Sequence, residues 1–145
     1  MTLQQCDGIE MANLTAEFYS CLDDRDYEGV LRCLAPGAVW LRRGIPLVGP
    51  EAIFKALQDR PNDFHTRHLA TNMRIHQFDA QNGTVTFYML GLPHVGRIPE
   101  GEYAPVPTPH ILNLYRDTMK KIDGRWLITE KRPLKTAFKD DLKLP

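Results

Sequence analysis

Residues 22–36 form the stretch LDDRDYEGVLRCLAP, which contains the boundary between two predicted helices. Its acidic opening at residues 23–26 interrupts an amphipathic pattern that precedes it. Asp26 can then cap a second, shorter helix, whose apolar stripe ends at residues 35–37, Ala-Pro-Gly. Two consecutive helices, joined by a turn rich in carboxylates, are therefore predicted near the start of the chain.

The flanking sequence extends this opening into a helical half of the chain. Before it, apolar residues recur at helical spacing over residues 9–22, which predicts a first amphipathic helix. After it, residues 38–43 favour a strand and residues 44–46 a turn. Pro50 then suits the first turn of a third helix with three apolar positions, Ile53, Phe54 and Leu57.

The remainder of the chain predicts strands. Residues 65–78 and 84–92 are joined through an Asn-Gly turn signal, and residues 111–122 and 125–132 flank an Asp-Gly turn, so two hairpins are expected. Between them, residues 93–109 carry five prolines and no periodicity, which predicts a loop. We expect this loop to lie against the pocket rim or a neighbouring subunit.

Helices followed by a meander predict the α+β class. We expect a single domain over residues 1–145, cone-shaped, with three N-terminal helices packed on a curved antiparallel sheet that encloses a pocket. Concave apolar cavities with a few polar groups are the usual sites for small molecules. A small-molecule substrate or ligand is therefore the expected partner.

The composition argues against several other classes of function. The 18 basic and 18 acidic residues give a formal net charge of zero, so no long-range field favours nucleic acid or a membrane surface. With no leader-like or membrane-spanning apolar run, a cytoplasmic protein is expected. The three cysteines predict reduced thiols, and neither the histidine spacing nor any glycine-rich motif predicts a metal or a nucleotide cofactor.

Three segments resemble the SnoaL-like enzymes of the nuclear transport factor 2-like superfamily, which includes scytalone dehydratase and polyketide cyclases. Residues 22–36, running on to Trp40, resemble the helix-to-strand opening of scytalone dehydratase. Residues 66–75, TRHLATNMRI, are similar to a segment of lindane dehydrochlorinase, and residues 115–126 look like the last hairpin of the family. The resemblance covers roughly residues 10–133 and implies the same cone-shaped fold.

The resemblance also implies that an Asp after the opening helix and a His on the long strand share one pocket, here at Asp23 and His68. A neutral imidazole can take a proton near pH 7, while a carboxylate on its other nitrogen fixes the tautomer and stabilises the imidazolium. His68 is therefore the predicted catalytic base and Asp23 its orienting partner. The second histidine of the dehydratase corresponds to about Tyr88, which leaves the simpler pair of the dehydrochlorinase.

Three aromatic residues are predicted to contact the substrate. Trp40 matches, by resemblance, a pocket wall of the dehydrochlorinase, where a flat ring would suit an aromatic or unsaturated molecule. Tyr19 lies one helical turn before Asp23, and either Tyr19 or Tyr88 could offer a hydroxyl to developing negative charge. Plain packing is the alternative role for each of the three.

Alternation along the long strand leaves its orientation open. Alternate residues from 68 to 74 share one face, and a more apolar set shares the other: Leu69, Thr71, Met73 and Ile75. If the helices cover the apolar face, His68 points away from the pocket. If that face is a subunit interface, His68 points inward. We favour the second arrangement, which predicts a homo-oligomer, either a dimer or a trimer.

Three functions fit these features. The favoured one is a cofactor-independent lyase or isomerase of the dehydratase or cyclase type, acting on a small apolar or aromatic molecule. A second is a non-catalytic subunit, because the small subunits of ring-hydroxylating dioxygenases have a similar Arg-rich strand, here residues 67–72. A third is a module that binds a ligand without transforming it.

Overall fold

The computed structural model describes residues 1–145 and places helices against a single six-stranded sheet. The elements in chain order are α1 (Leu3–Asp23), α2 (Tyr27–Arg32), β1 (Leu34–Arg42), β2 (Ile45–Val48), α3 (Pro50–Gln58), β3 (Phe64–Gln77), β4 (Asn82–Val95), β5 (Ile111–Ile122) and β6 (Arg125–Lys139). The strand order across the sheet is β2-β1-β6-β5-β4-β3. None of the helices has the length and apolar content needed to cross a membrane.

The predicted helices form where their capping signals lie. Asp26 caps α2, since its Oδ1 accepts the Gly29 backbone N–H at 2.8 Å, and Pro50 opens α3 as expected. Helix α1 begins six residues before the predicted start. The reason is a capping box in which Thr2 Oγ1 accepts the Gln5 N–H at 3.2 Å while Gln5 returns a bond to the Thr2 N–H at 2.7 Å.

The sheet is not wholly antiparallel, which corrects one part of the prediction. Strands β1 and β6 pair in parallel, whereas the other four neighbouring pairs are antiparallel. The segment predicted as a turn at residues 44–46 is shorter than expected, because β2 starts at Ile45 and pairs back on β1. Arg43 and Gly44 make that turn, with positive φ angles of 51° and 78°.

The core lies between α1 and the concave face of the sheet. On β4 every second residue from Gly83 to Pro93 is buried, as expected of a strand with one face on a core. Helix α1 packs mainly on β3 at the edge of the sheet and presents a matching buried face of Met11, Thr15, Phe18, Tyr19 and Leu22. A curved sheet under the helices leaves the cavity described below.

A bulge in β3 determines which side chains of this strand face the core. Asn72 has a φ of 53°, and the pairing with β4 shifts between Thr71 and Arg74, so residues 72 and 73 both lie opposite Phe87. His68 and Ala70 therefore face the core before the bulge. After it, Met73 and Ile75 also turn inward, so the predicted continuous apolar outer face is wrong beyond residue 71.

The proline-rich loop does not form the rim of the cavity as predicted. Both Tyr103 and Val106 are 96% exposed, and no residue from 96 to 109 lines either of the two cavities described below. Part of the rim comes instead from the C-terminal segment 140–144, which the sequence had not suggested. A contact between the loop and a second subunit stays a prediction.

Candidate active site

His68 and Asp23 meet as the sequence predicted. The Nδ1 atom of His68 lies 2.6 Å from Asp23 Oδ1, and the His68 backbone N–H donates to Asp23 Oδ2 at 2.7 Å. Both side chains are largely withdrawn from solvent, with 17% of His68 and 7% of Asp23 exposed. The two contacts of His68 with the Asp23 carboxylate fix both the position and the rotation of the imidazole.

The carboxylate of Asp23 is placed by the end of α1 and held by a third donor. As the last residue of α1, Asp23 sits where the helix dipole disfavours negative charge. Thr66, two residues before His68 on the same face of β3, offsets this by donating Oγ1–H to Asp23 Oδ1 at 2.8 Å. An ionised carboxylate with three donors is therefore well satisfied at this buried position.

Two arginines fasten this end of α1 to the start of β3. Arg60 Nη1 donates to the Leu22 carbonyl at 2.9 Å, and Arg60 Nη2 donates to Thr66 Oγ1 at 2.9 Å. Arg25, which has a φ of 61°, reaches the Phe64 carbonyl at 2.6 Å. Hydrogen bonds thus run continuously from Arg60 through Thr66 and Asp23 to His68, and this network fixes the position of the imidazole.

His68 faces a large cavity between the helices and the sheet, which we call the main cavity. Its volume is about 840 Å³, and its walls include Tyr19, Trp40, Phe64 and Tyr115 together with His68. A second depression of about 610 Å³, the edge groove, lies between α1 and β3 and contains Asp23. Because Tyr19 and His68 line both spaces, they form the partition between them.

Of the three predicted substrate contacts, the structure brings two to the main cavity. Trp40 lies on its wall from β1, and Tyr19 stacks on the His68 ring with centroids 5.1 Å apart and planes 30° apart. Tyr88 lies elsewhere, because its neighbours Phe87 and Met89 point into the core and alternation sends Tyr88 to the outer face, where it is 40% exposed. The prediction of a substrate contact for Tyr88 is therefore not supported.

The arrangement can accept a proton from a bound molecule. Since an ionised carboxylate only accepts hydrogen bonds, the neutral His68 ring must carry its proton on Nδ1, which leaves the Nε2 lone pair free. The stacked ring of Tyr19 offers its π face to the imidazolium that forms. Burial raises the pKa of Tyr19 well above its usual value, so this phenol stays protonated and remains a hydrogen-bond donor.

The family model of the SnoaL-like domain matches residues 6–132 of the chain. The chain belongs to the SnoaL-like family. This match includes Asp23, Thr66 and His68. A comparison with curated proteins finds no match.

Solved structures repeat the fold of this SnoaL-like domain at low sequence identity. A protein from Novosphingobium aromaticivorans, named as a candidate scytalone dehydratase, is 18% identical, with a TM-score of 0.73 over 99% of this chain and 91% of that one. An NTF2-like protein with a cystatin-like fold from the same species is 14% identical, with a TM-score of 0.71 over 90% and 83%. A cystatin-like protein from Nostoc punctiforme is 21% identical, with a TM-score of 0.74 over 92% and 93%. These identities support the fold alone.

The cysteines of the SnoaL-like domain lie apart from the dyad. None is in a disulfide, and neither cavity is lined by a cysteine. Burial raises the pKa of Cys21 to about 11 and that of Cys33 to about 12, so both stay as thiols at neutral pH. No group of three or more His, Cys, Asp or Glu side chains is arranged to hold a metal ion.

Sequence reasoning missed Thr66, and replacing it with valine should destabilise the SnoaL-like domain. Thr66→Val keeps the shape but leaves Asp23 Oδ1 and Arg60 Nη2 each short of a buried partner. The free energy of unfolding should fall by about 1–3 kcal/mol, measured by urea denaturation. The exposed Thr71→Val on the same strand is the control and should change it by no more than about 0.5 kcal/mol. Equal effects of the two variants would show that the Thr66 hydroxyl is not needed.

Proposed function

We propose that this SnoaL-like protein is a cofactor-independent lyase or isomerase acting on a small apolar or aromatic molecule. The observation that carries the proposal is the 2.6 Å contact between His68 Nδ1 and Asp23 Oδ1, at the wall of a cavity large enough for a bicyclic or tricyclic ligand. Such a pair moves protons, and a positioned general base contributes about 10²–10⁴-fold to a rate.

In the proposed reaction, His68 Nε2 removes a proton from a carbon atom of the bound molecule. In an elimination, the C–H electron pair forms the new double bond, and the leaving group departs with its own pair and is protonated by the imidazolium or by water. In an isomerisation, the imidazolium returns the proton to another carbon. The Tyr19 hydroxyl is the candidate donor to an oxygen that gains negative charge.

Proton exchange tests the proposal before the natural substrate is known. Aromatic ketones and β-hydroxy carbonyl compounds are incubated with the protein in D₂O containing EDTA, and mass spectrometry records deuterium uptake or loss of water. We expect at least one compound to react with the wild-type protein and not with His68→Ala. Reaction that persists in His68→Ala would place the base elsewhere. Tight binding of compounds without any exchange would make the chain a binding module.

The homo-oligomer belongs to the same proposal, and a row of apolar side chains supports it. Leu69, Leu90, Leu112 and Phe138 lie opposite one another across β3, β4, β5 and β6 on the outer face of the sheet. Within this row Leu69 is 49% and Phe138 72% exposed. An exposed apolar row across four strands is typical of a surface that another subunit covers.

Light scattering after size exclusion tests this interface at tens of micromolar protein. The wild-type protein should elute as a dimer or trimer, and Leu69→Glu combined with Phe138→Glu should give a monomer, because both charges would be buried without partners. Thr84→Glu, on the same face but outside the row, should keep the wild-type mass. A monomeric wild-type protein would contradict the proposed interface.

A further inference from the structure

Arg42 brings an unpaired cation to the wall of the main cavity. It lies two residues after Trp40 on β1, so both side chains face the cavity. Its guanidinium carbon is 5.5 Å from the centre of the Trp40 ring, and no carboxylate pairs with it. Burial, together with the charges of Arg43 and Arg60, lowers the pKa of Arg42 to about 10. Arg42 is thus still a cation at neutral pH, but one that lacks a counter-ion.

Other unpaired polar groups line the same cavity. Four buried side-chain polar atoms in the protein have no hydrogen-bond partner, and three of them, Trp40 Nε1, Arg60 Nε and Asn113 Oδ1, belong to residues of this wall. The Trp40 indole N–H approaches the Tyr115 hydroxyl without reaching hydrogen-bond geometry. Burial raises the pKa of Tyr115, and the nearby Trp40 N–H opposes this rise. Unpaired buried polar groups cost free energy unless a ligand satisfies them.

The charges around the main cavity are also unbalanced. Three arginines and two lysines line it, against two carboxylates, Asp140 and Asp141. Asp140 is already engaged, since it binds His110 and accepts the Leu142 backbone N–H at 3.0 Å. A chain with a formal net charge of zero therefore presents a positive cavity.

We propose that the molecule bound in the main cavity is an aromatic carboxylate whose carboxylate group is held by Arg42 and the Trp40 indole N–H. The proposal rests on the proposed function, because it names the substrate class of the same site. A planar guanidinium matches the two oxygens of a carboxylate, and the aromatic walls suit the rest of the molecule.

Three strands, β6, β5 and β4, separate Arg42 on β1 from His68 on β3. The carboxylate is therefore bound away from the base, and the carbon that loses its proton lies toward the other end of the ligand. Arg42 acts here as a residue that sets specificity and position, while the proton transfer itself belongs to His68.

Calorimetric binding of matched acids and amides tests this assignment without any turnover, so its outcome does not depend on whether His68 is a base. The probes are benzoate, 2-naphthoate and 2-anthracenecarboxylate, each compared with its neutral primary amide. At least one acid should bind the wild-type protein about 10- to 100-fold more tightly than its amide. Arg42→Gln should remove this difference, and Arg42→Lys should retain only part of it, because lysine lacks the planar pair of donors.

Arg74→Gln is the matched control, since it removes the same charge from an exposed position on β3 and should leave the preference for the acid unchanged. If no acid binds more tightly than its amide, the carboxylate assignment is overturned. It is equally overturned if Arg42→Gln keeps the full preference. Either result leaves the roles proposed for His68 and Asp23 to be judged by the exchange experiment alone.

Discussion

Replacing His68 with Ala is expected to lower kcat for a verified substrate by about 10²–10⁴-fold. The variant removes the imidazole that Asp23 holds at the wall of the main cavity, while His68 is not among the most deeply buried residues of the core. The fold should therefore survive, as far-ultraviolet circular dichroism would show. Steady-state rates measured without added metal or nucleotide give the comparison.

Asp23→Asn should also lower the rate, by about 10–10⁴-fold, for a reason that the structure makes specific. An asparagine must keep its oxygen toward the His68 backbone N–H, since an NH₂ group there would meet another donor. Its NH₂ group then faces His68 Nδ1, which forces the ring proton onto Nε2. The base would thus present N–H to the cavity in place of a lone pair.

His65→Ala is the matched control for both variants. His65 lies on the same strand but pairs with His94 on the outer face and lines neither cavity, so its loss should leave the rate near the wild-type value. If His68→Ala turns over a verified substrate at a near-normal rate, the base is not His68.

Lys131→Met is expected to cost about 3–5 kcal/mol of the free energy of unfolding, which is the largest stability effect predicted for this chain. Lys131 and Asp117 are both fully buried, and Lys131 Nζ lies 2.7 and 2.8 Å from the two oxygens of Asp117. Four aromatic rings enclose the ammonium group, two of them, those of Phe18 and Tyr19, with centres 4.4 Å away.

Burial lowers the pKa of Lys131, while the charge of Asp117 opposes that shift. Each charge is therefore tolerated in the core only while the other is present. Lys131→Met leaves the Asp117 charge buried with Thr15 as its remaining side-chain partner. Thermal unfolding should show a fall in Tm of roughly 10 °C.

The double variant Lys131→Met, Asp117→Leu should recover most of the lost stability, because it leaves no unpaired buried charge. The exposed Lys135→Met on the same strand should change Tm by at most a degree or two. A single Lys131→Met variant as stable as Lys135→Met would show that the buried ion pair does not stabilise the core.

Local signals predicted most of the elements of the fold. The cap at Asp26, the proline at residue 50 and the Asn-Gly and Asp-Gly turns each act over a few residues, so the sequence is enough to place them. The parallel pairing of β1 with β6 has no such signal, since it joins segments about 90 residues apart along the chain. The bulge at residue 72 has only a weak signal in the sequence, namely an asparagine, which tolerates a positive φ more readily than most residues.

The same distinction explains what was missed at the candidate site. Asp23 and His68 were predicted through the resemblance to known families, and their geometry matches that expectation. Arg60 and Thr66 become partners of this pair only when the chain folds, and an arginine before a proline carries no local sign of such a role. Lys131 likewise resembles a surface charge in the sequence, and only the folded sheet shows it enclosed by aromatic rings.

Nitrogen-15 spectroscopy of the His68 ring tests most directly whether Asp23 holds this imidazole as a base that faces the cavity. At a pH of about 8.5, where an ordinary imidazole is neutral, long-range proton–nitrogen correlations identify the protonated nitrogen. His68→Gln assigns the signals by their disappearance. We expect the proton on Nδ1 in the wild-type protein and on Nε2 in Asp23→Asn. A wild-type ring protonated on Nε2, or a tautomer that Asp23→Asn leaves unchanged, would contradict the proposed role of the pair.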